Sequence, residues 1–134
     1  VTRLLLDTNA VITLAAAPPG TTFTGVQQGD SLAISAMTEL EVRLGAGLRP
    51  GNVHILRTLT WLTQNYRGLP TDSAVVAAFP VVVAAAVAAG QSPERRIADL
   101  TIAATALAHG ATLVTEDATL RNALAEALPT RSLQ

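Results

Sequence analysis

The predicted fold is an α/β domain built on a parallel sheet, and three observations carry that prediction. Short apolar runs of strand length, at 3–6, 31–35 and 111–115, alternate with longer segments of helical pattern. Glycine or proline closes most of those longer segments, and Ser, Thr, Asp or Asn stands before several of them. The 134 residues contain no internal repeat and no linker, which fits a single domain over 1–134. Helical crossovers return the chain to the same sheet, so the strands are expected to pair in parallel.

The elements follow in order. Residues 3–6 form a buried strand that leads at once into Asp7-Thr8-Asn9 and a helix to 17, stopped by Pro18-Pro19-Gly20. Residues 21–30 are a Gly/Thr/Gln-rich connection. A strand at 31–35 precedes a helix at 36–47, which ends at glycine. Pro50 opens a third helix at its favoured first-turn position, running to about residue 65 through Val53, Leu56, Leu59 and Leu62. Residues 66–70 read as a short strand, and Thr71-Asp72-Ser73 offers caps for an alanine-rich helix over 74–89. That uncharged helix contains Pro80 and falls short of the roughly 18–20 residues a span needs, so it reads as a buried helix kinked at proline. A polar loop at 91–96 carries Arg95 and Arg96. A helix at 97–109, apolar on nearly all sides, follows and is closed by Gly110. A strand at 111–115, an amphipathic helix at 117–128 and an edge strand after Pro129 complete the chain.

Composition removes several chemistries. All nine basic residues are arginine, and there is neither lysine nor cysteine. A P-loop and a Schiff-base enzyme both need lysine, while thiol catalysis, disulfide scaffolds and cysteine metal sites need cysteine. His54 and His109 stand far apart, which disfavours a histidine-based zinc site, and neither is assigned to catalysis. Carboxylates, hydroxyls and arginine remain. Residues 1–6 run straight into a strand without a charged preamble, so no secretory signal and a cytoplasmic location are expected.

Ten acidic residues are available, and position sorts them. Asp7 follows a strand and precedes a helix, so it serves either as an N-cap or as a site carboxylate beyond the strand's end. Glu39 and Glu41 lie about 200° apart on one helix, and only one of them can face inward. With Met37, Leu40, Leu44 and Leu48 taken as the core stripe, Glu41 falls at its edge, and Glu39 pairs outward with Arg43. Asp99 opens an otherwise apolar helix and would share the interior with Glu41. Of the adjacent Glu116 and Asp117, one faces the site, and Asp117 also suits the cap of the last helix. If Asp7, Glu41, Asp99 and Asp117 converge without a lysine, their mutual repulsion recruits a cation, and all-oxygen donors select Mg²⁺ or Mn²⁺. Thr8 and Thr115 would then position water, phosphate or carboxylate.

Four segments in register resemble the PIN-domain ribonucleases, and the VapC-type toxins of toxin–antitoxin pairs in particular. They are Leu4-Leu5-Leu6-Asp7-Thr8-Asn9; Ile34-Ser35-Ala36 with Glu41-Val42-Arg43-Leu44-Gly45; Asp99-Leu100-Thr101-Ile102-Ala103-Ala104; and Ala111-Thr112-Leu113-Val114-Thr115-Glu116-Asp117. The resemblance implies a three-layer α/β/α fold with a central, mostly parallel sheet of four to five strands. It also implies an endoribonuclease using one or two Mg²⁺ or Mn²⁺ ions, leaving 5′-phosphate and 3′-hydroxyl ends. A homodimer held inactive by a cognate antitoxin is implied as well. Asp7, Glu41, Asp99 and Asp117 match the family's acidic positions, with Thr8, Asn9 and Thr115 in support. Thr119-Leu120 stands where many members carry an Asp-Phe pair, so the fourth acidic position leans on Asp117.

With a net charge of −1, RNA contact would rest on local clustering; Arg43, Arg95 and Arg96 are the candidates, with Arg49, unless they are solvated or meet antitoxin carboxylates. Trp61 and Phe79 suit helix packing better than base stacking. Two other functions compete. A haloacid-dehalogenase-like phosphatase would need an aspartate in place of Asn9 and a later lysine, and both are missing. A PIN-fold module that works by binding antitoxin or RNA, with little or no cleavage, is the non-enzymatic alternative.

Overall fold

The computed structural model describes residues 2–66 and 68–134. Four parallel strands form one sheet in the order β2-β1-β3-β4: β1 (Arg3–Leu6), β2 (Ser31–Ile34), β3 (Thr112–Val114) and β4 (Thr130–Arg131). Strand β1 is paired on both edges, with Leu6 opposite Ile34 on one side and Val114 on the other. Alternate residues serve opposite faces. Leu4, Leu6 and Val114 join one core with α1 (Thr8–Ala16), α2 (Ala36–Leu48) and α3 (Val53–Asn65). Leu5 and Leu113 join the other with α4 (Ser73–Ala88), α5 (Ile97–Ala108) and α6 (Ala118–Leu124). This is the three-layer α/β/α arrangement that was expected. Both faces of the sheet are covered, which explains why Leu4, Leu5 and Leu6 of β1 are all apolar and buried.

Side-chain caps set most helix starts. Asp7, Ser35, Asn52, Asp72 and Asp117 each accept a backbone amide from the first turn of α1, α2, α3, α4 and α6. Helix α5 has no such cap; it grows directly out of a 3₁₀ turn at Pro93–Arg96, where a polar loop was expected. Asn52 accepts from both His54 and Ile55, so α3 starts at Val53 and Pro50 lies in the turn before it rather than in its first turn. The last helix ends at Leu124, short of 128. Of the strand expected at 66–70, a single bridge between Ser35 and Leu69 is present, and Arg67 lies outside the described residues. Helix α4 continues through Pro80 but is buried along one stripe only, at Val75, Val82 and Ala86, leaving Val76, Val81 and Val87 exposed. No helix among the described residues is long and apolar enough to cross a membrane.

The C-terminal tail is tied down as an edge. Gly25 donates its amide to the Leu133 carbonyl at 2.8 Å, and its backbone lies so close to Ser132 and Leu133 that a side chain would collide. Glu116 accepts from the amide of Leu133 and the hydroxyl of Ser132. Its carboxylate therefore turns to the tail.

Candidate active site

The site begins where β1 ends. The Asp7 amide donates to the Val114 carbonyl at 3.0 Å, and its Oδ1 accepts from the Ala10 amide at 2.8 Å. Asp7 is thus both the cap of α1 and a carboxylate at the carboxyl edge of the two central strands. It is only 6% exposed. Burial pushes its carboxyl above the ordinary value, hydrogen bonds from Thr115 and Ala10 oppose that, and the charges of Asp99 and Glu116 add to it. The Thr115 hydroxyl is fully buried; it bonds Asp7 and accepts the Asp117 amide at 3.2 Å, joining the ends of β1 and β3.

Asp99 and Asp117 meet across one arginine. Arg96 Nη2 donates to Asp99 Oδ2 at 3.1 Å and to Asp117 Oδ2 at 2.5 Å, while its Nη1 donates to Gln91 Oε1 at 3.0 Å. Burial raises the Asp117 carboxyl, but the Arg96 hydrogen bond and charge and the Leu120 amide outweigh it, leaving Asp117 below the ordinary range. The same two carboxylates hold Arg96 above its ordinary value against its own burial. Arg96 was expected to contact RNA; here its guanidinium lies inside the acidic set. The i,i+3 spacing of Arg96 and Asp99 was the available signal, and a role as counter-ion was missed.

Glu41 faces inward, though for a different reason than its neighbours implied. Leu40, Leu44 and Leu48 are 61%, 62% and 72% exposed, so the leucine stripe points to solvent. The inward stripe of α2 is Thr38, Glu41, Val42 and Gly45, a regular helical spacing built from small and polar residues. Helices α1 and α3 pack on that side, and Gly45 lies against Ile55 of α3. Glu41 Oε1 accepts from the Thr8 hydroxyl at 2.5 Å, and Thr8 also approaches Thr38 at 3.5 Å. The carboxylate borders a cleft of about 230 Å³ lined by Ile12, Val42, Arg49, His54 and Ile55 among others. Glu39 points away from Glu41; it pairs with Arg43 at 3.3 Å and accepts from the Gly68 amide, which leaves its side chain partly buried.

The remaining candidates divide. Asp99 is 40% exposed at its side chain, so it does not share a buried interior with Glu41. Asn9 is exposed and makes no side-chain hydrogen bond among the described residues. Arg43 is engaged with Glu39, whereas Arg95 is exposed beside the site. Trp61 and Phe79 pack in the two cores, as expected. As the side chains stand, no three His, Asp or Glu among the described residues lie close enough to hold one ion. The donor chemistry still fits a hard divalent cation: every candidate ligand is a carboxylate or hydroxyl oxygen, Asp7 is buried against its charge, and Arg96 marks where positive charge is favoured.

A parallel α/β domain with acidic residues beyond the carboxyl ends of its central strands is the class that fold and site define. The chain belongs to the PIN domain family, which it matches over residues 4–124. No curated protein matches it in sequence. Among solved structures it is similar to VapBC2 from Rickettsia felis bound to a promoter DNA fragment, with 17% identity, a TM-score of 0.77 and 98% of each chain covered. VapBC-5 from Mycobacterium tuberculosis, a member of the VapBC family of toxin–antitoxin systems, is similar at 21% identity, with a TM-score of 0.74 over 98% of each chain. FitAcB from Neisseria gonorrhoeae is similar at 25% identity, with a TM-score of 0.65 over 97% of each chain.

Proposed function

We propose that this chain is a VapC-type toxin: an endoribonuclease dependent on one or two Mg²⁺ or Mn²⁺ ions, restrained by an antitoxin and acting as a cytoplasmic homodimer. The observation that carries the reading is that, in a PIN-family chain, the charge of Asp99 acts on the buried Asp7, and Asp99 and Asp117 share Arg96 near the carboxyl ends of β1 and β3. Asp7, Asp99, Asp117 and Glu41 would hold the metal, which supplies charge neutralisation for the phosphodiester and a more acidic water. Thr115 keeps Asp7 and the Asp117 backbone in register. Thr8 orients Glu41 toward the same end of α1. Water adds to phosphorus and the bond to the ribose 3′ oxygen breaks, leaving a 5′-phosphate and a 3′-hydroxyl. Arg95, exposed on the turn before α5, and Arg49, on the cleft beside Glu41, are placed to meet RNA phosphates.

Exposed apolar side chains support protein partners. Leu40, Leu44 and Leu48 on α2 continue into Val53 and Leu56 on α3, and α4 exposes Val76, Val81 and Val87. We assign these surfaces to the antitoxin and to the second copy of the chain.

One observation favours a second reading, a PIN module that binds without cutting: Arg96 neutralises Asp99 and Asp117. An assay of RNA cleavage with Mn²⁺ or with chelator, on wild type and Asp7→Asn, separates the two. Metal-dependent cleavage by wild type, reduced at least about 100-fold in Asp7→Asn, is the expected result. Equal cleavage by both proteins, or none by either, overturns the nuclease assignment.

A further inference from the structure

The arginine in the acidic crevice has no counterpart elsewhere among the described residues. Arg43 and Arg131 each bridge one carboxylate, and Arg121 donates to the Thr115 carbonyl. Among the described residues, Arg96 alone spans two carboxylates from different elements, Asp99 on α5 and Asp117 at the start of α6, and both are proposed ligands. Its side chain is only 21% exposed, and Gln91 holds its other nitrogen from behind.

Position explains how the guanidinium gets there. Arg96 is the last residue of the 3₁₀ turn, at the start of the one α-helix that has no side-chain cap. Its side chain is not needed to start α5, so it is free to cross the crevice mouth. One guanidinium spanning two carboxylates offsets a repulsion that the chain, without lysine, meets only with arginine.

We propose that Arg96 is a built-in counter-cation that holds the acidic site closed in the metal-free protein and is displaced when a divalent ion binds. The inference rests on the metal-dependent reading above. Arg96 occupies one oxygen of each carboxylate, so an ion held by Asp99 and Asp117 would have to displace it. The metal-free crevice is stabilised at the expense of ion affinity. Gln91, which holds Nη1, helps to keep Arg96 on the two carboxylates.

Calorimetric titration of the chelator-stripped protein with Mn²⁺ alone, alongside thermal unfolding in chelator, tests this without any cleavage assay. Arg96→Gln is expected to bind Mn²⁺ about tenfold more tightly than wild type, since charge-assisted hydrogen bonds no longer have to break, and to unfold at lower temperature in chelator. Gln91→Ala, which loosens Arg96 without touching either carboxylate, is expected to tighten binding by about two- to threefold on the same grounds, and it serves if Arg96→Gln does not fold. Arg96→Lys is expected to lie between wild type and Arg96→Gln. Unchanged or weaker Mn²⁺ binding in Arg96→Gln and Gln91→Ala, with wild-type binding intact and lost in Asp7→Asn, overturns the exchange and leaves the metal site standing. No Mn²⁺ binding by any of these proteins overturns both.

Discussion

Helices α2 and α5 each carry one of the proposed acidic residues, and both are rich in apolar side chains, yet they use those side chains in opposite ways. In α5 every residue from Leu100 to Ala106 is buried, because the helix lies between the sheet and α4. In α2 only Thr38 and Val42 are buried, and the leucines at 40, 44 and 48 face solvent. A helix that is apolar all round has no orientation to misread. One with both a leucine stripe and a small polar stripe has two, and its neighbours choose. Here α1 and α3 approach the Thr38–Val42 side, where small residues permit close packing and Glu41 finds the Thr8 hydroxyl. The exposed leucines then form the apolar surface assigned above, as a proposal, to a protein partner.

That contrast is open to direct attack. Leu100→Ala should cost about 2–5 kcal/mol of unfolding free energy, while Leu44→Ala should change it by no more than about 0.5 kcal/mol. Urea unfolding of the two variants measures the difference, and comparable losses would mean that the α2 leucines are core after all.

The acidic residues sharpen the same comparison. Glu41→Gln should lower RNA cleavage by about 100-fold, and Glu39→Gln should leave it within about twofold, since Glu39 serves only Arg43 and Gly68. A steady-state cleavage assay in Mn²⁺ decides; the opposite ranking would return the inward face to Glu39.

The smallest expected effect concerns Asp7. Its folded carboxyl lies above the unfolded value of 3.8, mainly through burial. As pH rises through 3.8 the unfolded chain releases this proton before the folded one does, so stability falls until the folded group ionises too. In the metal-free protein, Asp7→Asn should therefore be more stable than wild type at neutral pH and lose that advantage below about pH 3. An advantage that grows in acid would mean the carboxylate is favoured in the fold. Asp117 has the opposite sign. It lies below the ordinary range, so its contribution is present above the unfolded value and fades as pH falls through the folded one.

Much of this was legible along the chain. Short, mostly apolar runs between helical patterns marked the central strands, since a strand covered on both faces is apolar along most of its length. Asp7, Asp72 and Asp117 announced helix starts because their side chains satisfy amides a few residues on. The strand at 66–70 shrank to one bridge at Leu69, and Pro50 gave way to Asn52, where local propensity competed with a better-placed acceptor. Adjacency alone left open which of Glu116 and Asp117 faces the site, although Asp117 suited the helix cap. The tail turns Glu116 away, because Leu133 and Ser132 donate to it from residues far along the chain.

What the sequence determined by itself was local: which segments are strands or helices, where most of them are capped, and that oxygen ligands and arginine are the chemistry available. Those follow from periodicity, hydrogen bonds between near neighbours, and the absence of lysine and cysteine. The tertiary structure alone decided which face of α2 meets the domain, where Glu116 turns, and that Arg96 spans Asp99 and Asp117. Each of those depends on groups brought together from separate elements, and competition for space and for charge is settled only after the sheet has gathered them.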